Sequence, residues 1–412
     1  MRVPSIIADL TDRSSVLVGS SPPAVISRTT RRDAAKLSDV TDYMKASSAY
    51  RHGHAMTHDT IRASVIMPAY NAERTLQQAV SSALRQTESQ LEVLVIDDAS
   101  TDDTAAVAEA LAVRDARVRL LRQPFNRGPA AARNCGLAKA HGTWVALLDA
   151  DDEFAPERLE TLLEMGESLN ADVVADNLLL CPTGESAQVT PMISAKKLHA
   201  PKWMSTAEFV DGNVGNRFTP RISYGFMQPV IRRDFLNKHG LRYNERNRFG
   251  EDYLFALNLL LSGARWWITP RAMYRYRVQS GTLTEVQSAA DLMRISQFEA
   301  NLLANHPMVA SDPDLAKALH RHKRVMEHFY HYRAFTDALK ARSFAPATGL
   351  LLASASGFRH IMTESMLQAP RVALKALRGG FRQRHGNRAL SAGLDLRSDA
   401  GTVGSVARRS GH

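Results

Sequence analysis

Three groups of acidic residues stand out in this 412-residue chain. Asp97-Asp98 follows one apolar run, Asp149-Ala-Asp151-Asp152 follows another, and Glu251-Asp252 opens a segment with helical spacing. Singly, acids after strands cap helices or solvate turns. Together they imply a cation, because the four acids in Leu148-Asp-Ala-Asp-Asp-Glu153 repel one another unless a positive charge sits among them. Hard divalent ions take oxygen ligands, and Mg²⁺ commonly uses one or two carboxylates plus substrate phosphates. An Asp-X-Asp at a strand end is therefore a candidate bracket for a metal ion and a diphosphate.

These groups need elements to hold them. Ser64-Val-Ile-Met-Pro68 reads as a strand and Asn71 as the cap of the next helix. In that helix Leu76, Ala79, Val80, Ala83 and Leu84 form one stripe. Leu91 to Ile96 is a second strand running into Asp97. Ser100 reads as the cap of a helix with Asp102 and Asp103 in its first turn, where negative charge is favoured. A strand Val118 to Leu121, a helix from Gly128-Pro129 through Lys139, and a strand Trp144 to Leu148 complete the series. Strands that are continuously apolar and alternate with helices predict a parallel α/β sheet. Ligands of such sheets bind outside the carboxyl ends of the strands, which is where the acids cluster. Further on, residues 180–220 read as mixed and loop-like, and 226–236 as a strand with a helix start. Glu251 to Leu261 reads as a helix, Trp266 to Ile268 and Tyr274 to Val278 as two short strands, and Ala289 to Leu339 as helical.

Composition sets the class. With 44% hydrophobic and 23% charged residues, the chain is of ordinary globular type rather than collagen-like, disordered or a disulfide framework. Cys135 and Cys181 are its only cysteines, which argues against a structural zinc site and for a reducing compartment. No stretch reaches the roughly 20 apolar residues of a membrane span; Thr348 to Ala355 is short and interrupted. The start lacks the apolar core of a secretory signal. The net charge of +10 is uneven: residues 370–412 hold nine Lys and Arg against two Asp, and residues 1–60 hold eight against six. The body is nearly neutral, which disfavours a nucleic-acid partner.

In order along the chain stand Ser64-Val-Ile-Met-Pro-Ala-Tyr-Asn71, Val95-Ile-Asp-Asp-Ala-Ser-Thr-Asp102, Asn126-Arg-Gly-Pro-Ala-Ala-Ala-Arg-Asn134, Asp149-Ala-Asp-Asp152 and Gly250-Glu-Asp252. Over about residues 61–285 this series resembles the family 2 inverting glycosyltransferases, and within them the bacterial transferases of succinoglycan-type exopolysaccharide assembly. The resemblance implies an α/β GT-A fold with a mostly parallel nucleotide-sugar-binding sheet and a helical C-terminal region. Composition, periodicity and charge mark a loosely ordered extension (1–60, with one helix at Arg32 to Ser48), a helical region (286–369) and a basic tail (370–412), and the resemblance covers the transferase domain between them (61–285). It implies that Ala69 and Tyr70 lie at the nucleobase, with Asp98 hydrogen-bonded to it and Arg133 near the base or the phosphates. Asp149 would contact the ribose or the metal's water shell, Asp151 would ligate Mn²⁺ or Mg²⁺, and Asp252 would be the catalytic base.

The chemistry suits these residue types. An acceptor hydroxyl is a weak nucleophile, so a carboxylate takes its proton, while a cation stabilises the departing diphosphate. The implied reaction moves a hexose, glucose from UDP-glucose, onto a lipid-linked oligosaccharide in exopolysaccharide biosynthesis. The implied location is the cytoplasm or the inner face of the cytoplasmic membrane. Plainer readings stand beside these: Tyr70-Asn71 as a strand end and cap, Arg133 as a surface helix residue, Asp252 as a helix N-terminal acid, and His320 to Arg324 as a solvated face. Two departures from the family pattern are visible. Gln279 occupies a position where His is usual, leaving Arg277, Gln279 or Thr282 to close over the diphosphate. Arg265-Trp266 lacks the Gln of processive relatives, which favours single addition. In the tail, Arg371, Lys375, Arg378 and Arg382 share one helical face beside Leu374, Leu377 and Phe381, a pattern suited to an anionic membrane surface or to a solubilising tail. The alternative functions are a sugar nucleotidyltransferase, disfavoured because Pro68-Ala-Tyr-Asn71 replaces a Gly-rich basic loop, and a non-catalytic scaffold of the same fold.

Overall fold

The computed structural model describes residues 61–182, 188–214, 224–278, 288–343 and 348–349. The expected extension, its helix at 32–48, Gln279, Thr282, the segment 350–355 and the basic tail lie outside the described residues. The chain divides into two compact units, residues 2–327 and a second made chiefly of residues 328–412. In the second, Arg333 and Lys340 both pair with Asp337 at helical spacing.

In the first unit the apolar runs become β1 (Ala63–Ala69), β2 (Leu91–Asp97), β3 (Val118–Arg122) and β4 (Trp144–Leu147). They pair in parallel in the order β3-β2-β1-β4. Their connecting helices are α1 (Leu76–Leu84), α2 (Thr104–Arg114) and α3 (Pro129–Lys139). Every residue of β2 is buried, as expected of a strand covered on both faces. The α1 stripe is buried except for Leu84, which is half-buried. Helix α3 lies tight on the sheet: a Cβ at Gly136 would come within 2.5 Å of Ile66 Cγ2, so a larger residue there would lift the helix that carries Arg133.

The sheet then continues in mixed sense. β5 (Glu153–Phe154) and α4 (Arg158–Ser168) lead to β6 (Val173–Pro182), followed by β7 (Thr190–Pro191), β8 (Lys202–Trp203) and α5 (Thr206–Gly212). A 3₁₀ turn, Tyr224–Phe226, precedes β9 (Val230–Arg232) and α6 (Arg233–Lys238). β9 runs antiparallel between β4 and β6. Helix α7 (Glu251–Leu261) leads into β10 (Trp266–Val278), which is parallel to β6. The helical region is α8 (Ala289–Asn305), α9 (Pro307–Ser311) and α10 (Pro313–Lys340).

Several local expectations are corrected. Asn71 is not a helix cap. It sits at φ 50° and its side-chain oxygen accepts from the N–H of Thr101 at 2.8 Å, while Thr75 stands at the start of α1. Helix α2 begins at Thr104, so Asp102 and Asp103 precede it. Asp102 ties Glu73 N–H and Thr104 N–H together instead, and Ser100 accepts from Asn71 N–H. The two short strands after residue 265 are one strand of 13 residues. Its ladder slips between Ile268 and Ala272, around Pro270, which has no N–H to donate. Part of the loop-like stretch is ordered as β6, β7, β8 and α5. His322 is not on a solvated face: it is 2% exposed and bonded to Glu299.

Candidate active site

At the carboxyl edge of the parallel strands lies a cavity of about 750 Å³. Ala69, Tyr70, Asp98, Arg133, Asp149, Asp151 and Asp252 all line it. Sequence reasoning thus named seven residues, from five separate stretches of chain, that share one wall system.

The β1 end supplies Ala69, which is buried, and Tyr70, whose ring is half exposed. The Asp98 N–H donates to the Ala69 carbonyl at 2.9 Å, fastening the ends of β1 and β2. The Asp98 carboxylate accepts from Gln123 Nε2 at 3.0 Å, Arg127 N at 2.8 Å and Gly128 N at 2.7 Å. Two of those donors are in the backbone that leads into α3, so Asp98 sets where that helix starts. A carboxylate has about four acceptor sites, which leaves room for one further donor from the cavity.

The turn after β4 is a crowd of carboxylates. Asp149 accepts from Arg133 Nη2 at 2.9 Å and from Gln228 Nε2 at 3.2 Å. Asp152 is 2% exposed; it accepts from the Tyr274 hydroxyl at 2.8 Å and the Arg277 N–H at 2.7 Å. Burial, then the charges of Asp151 and Asp149, push the Asp152 proton affinity well up despite those two donors. Asp151 is pushed up to about 6 by burial and by Asp149. Among the described residues no side chain donates a hydrogen bond to it.

Across the cavity, α7 presents Glu251 and Asp252 in its first turn, preceded by Gly250 at φ 72°. Arg133 reaches them from α3. Its guanidinium is 3.1 Å from Glu251 Oε1 and 3.1 Å from Asp252 Oδ1, and lies 5.4 Å over the Tyr243 ring. Far from being a surface residue, Arg133 is 3% exposed. Burial opposes its charge, but Asp252 and Asp149 outweigh this and hold its proton more firmly than usual. Asp252 is pushed up to about 8: burial raises it, Arg133 pulls it back, and Glu251 and Asp149 add to the rise.

Gln228, Tyr243, Asp152 and Tyr274 were missed as site residues. Gln228 and Tyr243 lie in short irregular segments with no pattern to single them out. Asp152 and Tyr274 had a signal, because both fall in stretches already marked, but only the fold brings them together.

The donor set suits a hard divalent ion only in part. No group of three or more His, Cys, Asp or Glu side chains forms a metal cage among the described residues. What is present is Asp151, crowded by like charge and short of donors, beside Asp149. That is the one-or-two-carboxylate arrangement that relies on substrate phosphates for the remaining ligands.

The profile of the family described as Glycosyl transferase family 2 matches residues 64–236, which carry four of the five motifs. The succinoglycan biosynthesis protein ExoU of Rhizobium meliloti (strain 1021) is 37% identical over 288 residues, covering 70% of this chain and 82% of that protein. The chain belongs to glycosyl transferase family 2. ExoO of the same organism is 33% identical, covering 72% of this chain and 82% of its own. As a family 2 member the chain is a glycosyltransferase. Its fold is similar to that of S. aureus TarS residues 1–349, solved in complex with UDP-GlcNAc, at a TM-score of 0.52 and 17% identity over 70% of this chain and 90% of TarS 1–349. The α/β sheet with a helical C-terminal region is thus the GT-A arrangement. No described helix is long and apolar enough to cross a membrane.

Proposed function

We propose that this transferase moves a hexose from a nucleotide-sugar donor, UDP-glucose, onto a growing lipid-linked saccharide in bacterial exopolysaccharide biosynthesis, by a single inverting displacement and without processive addition. The observation that carries the reading is the sharing of one cavity by Asp149, Asp151 and Asp252. A donor bound over the first two would turn its anomeric carbon towards the third. The names of ExoU and ExoO support the choice of pathway.

In this reading Tyr70 and Ala69 flank the nucleobase, and the free acceptor site of Asp98 takes a base N–H. Asp151, with Asp149, would hold Mn²⁺ or Mg²⁺, which when bound neutralises charge developing on the departing diphosphate. Asp252 accepts the proton of the acceptor hydroxyl as its oxygen bonds to the anomeric carbon and the bond to the diphosphate breaks. A direct displacement needs no enzyme nucleophile. Arg133 keeps a positive charge beside Asp149, Glu251 and Asp252, so these three carboxylates are not left unpaired. Residues 61–285 form the transferase domain, and the basic tail brings the enzyme to the inner face of the cytoplasmic membrane.

The test is calorimetric titration of UDP, GDP and dTDP with Mn²⁺ and again with chelator, followed by transfer assays with UDP-sugars. Metal-dependent binding of UDP alone is expected. Equal binding of GDP, or binding indifferent to chelator, would overturn the donor and metal assignments.

A further inference from the structure

The turn that carries Glu251 and Asp252 is backed by one face of α8. Asp291, Ile295 and Glu299 stand at i, i+4 and i+8 of that helix, all nearly inaccessible, and each meets a different residue of the turn. Asp291 Oδ1 accepts the Arg248 N–H at 3.3 Å. Ile295 fills the space beside Gly250, where a Cβ would lie 2.6 Å from Ile295 Cδ1. Glu299 Oε1 accepts the Tyr253 hydroxyl at 2.6 Å.

Tyr253, the residue after Asp252, is held at its ring by two stacked neighbours as well. Phe209 of α5 stacks on it at 5.7 Å and His322 of α10 at 4.5 Å. His322 Nδ1 also reaches Glu299 Oε1, at 2.6 Å. Glu299 is fully buried and its other oxygen has no partner among the described residues. A buried carboxylate is costly unless paired, so placing it here buys little packing and a good deal of orientation. Neither α8 nor α10 contributes to the five motifs of the family pattern.

We propose that Asp291, Ile295 and Glu299 form a splint that fixes the aim of Asp252, with Glu299 and His322 as positioning residues acting through Tyr253. The splint follows from the structure alone; its effect on turnover rests on the transferase reading above. A misplacement of about 1 Å at a reacting group can cost on the order of 10²-fold in rate, so the backing of this turn bears on kcat rather than on donor affinity.

The experiment compares full-length wild type with Y253F, E299A and E299Q. Hydrogen exchange is followed in peptides covering residues 248–256, with β2 peptides as the internal reference. UDP-glucose turnover, with water as acceptor, gives kcat and KM. E299A and Y253F should raise exchange across 248–256 by roughly tenfold or more while β2 is unchanged, since local opening reports the lost brace. Both should lower kcat by about tenfold to a hundredfold with KM for the donor within about twofold. E299Q retains an acceptor for Tyr253 and should stay within about threefold of wild type. Unchanged exchange in E299A and Y253F overturns the splint, as does an E299Q variant as damaged as E299A. A loss confined to KM overturns the positioning role. If wild type turns over no UDP-glucose, the donor assignment falls, and the exchange comparison alone decides the splint.

Discussion

At the end of β4, Asp152 is held by two neutral groups, the Tyr274 hydroxyl and the Arg277 N–H, and Asp149 by the Gln228 amide and by Nη2 of Arg133. At the start of α7, Glu251 and Asp252 face the Arg133 guanidinium and are braced from behind by α8. Three aspartates share one guanidinium nitrogen there, so the first turn keeps an excess of negative charge, which adds to burial, the larger cause, in raising the proton affinities of Asp151 and Asp152. The second turn sets its two acids against the other nitrogen, Nη1, of the same guanidinium. One turn is built to receive positive charge from outside. The other holds a carboxyl group in place, the one that takes the acceptor's proton in the function proposed above.

That contrast can be broken from either side. The largest effect is expected for D252N, which removes the proposed proton acceptor while leaving shape intact: transfer should fall by about 10³-fold, with UDP affinity within about twofold by calorimetry. An equal loss of UDP affinity would show that the two turns do not divide the work. The pH profile sharpens the same point. With Asp252 pushed up to about 8, kcat/KM of wild type should rise with pH and level off above about 8. The folded state binds this proton more tightly than the unfolded chain, whose value is near 3.8, so this group makes stability fall as pH rises between those values. D252N should flatten that slope in thermal melts at pH 5 to 8.

D151N comes next. It should abolish the dependence of UDP binding on Mn²⁺ and reduce transfer by roughly a hundredfold, because Asp151 is the acid to which no side chain donates among the described residues. Retained metal dependence would move the ligand role to Asp149. The smallest effect is expected for Y274F, which deletes one hydroxyl that bonds Asp152 and the Asp149 N–H. It should cost about 1–3 kcal/mol of stability, read as a melting temperature lower by roughly 2–4 °C per kcal/mol, with transfer reduced less than in D151N.

The difference between the turns also explains what could be read in advance. Asp149, Asp151 and Asp252 follow or open strongly patterned elements, and continuous apolar strands made the parallel half of the sheet legible, including helix α7 to the residue. The partners were not legible, since Gln228, Tyr243 and Tyr274 meet the acids only through contacts 79 to 125 residues away in sequence or, for Tyr243, through the packing of α3. Local chemistry misled at Asn71 and Ser100, which look like helix caps but bind each other's loops across the β1 and β2 ends. His322 was misread because a run of basic residues suggests solvent, whereas one ring of the run turns inward to Glu299.

Sheet topology sets an order of completion during synthesis. β3, β2, β1 and β4 pair only with one another until β9 arrives, so the parallel quartet can close once residue 147 has emerged. β4 gains its other neighbour only when Val230–Arg232 is made. Asp152 waits longer still: its two donors lie 122 and 125 residues further along, a long loop to close before any contact rewards it. The acid-bearing turn after β4 is therefore made early and finished late, and a nascent chain released before β10 would carry the parallel-strand side of the pocket with Asp152 still unclamped.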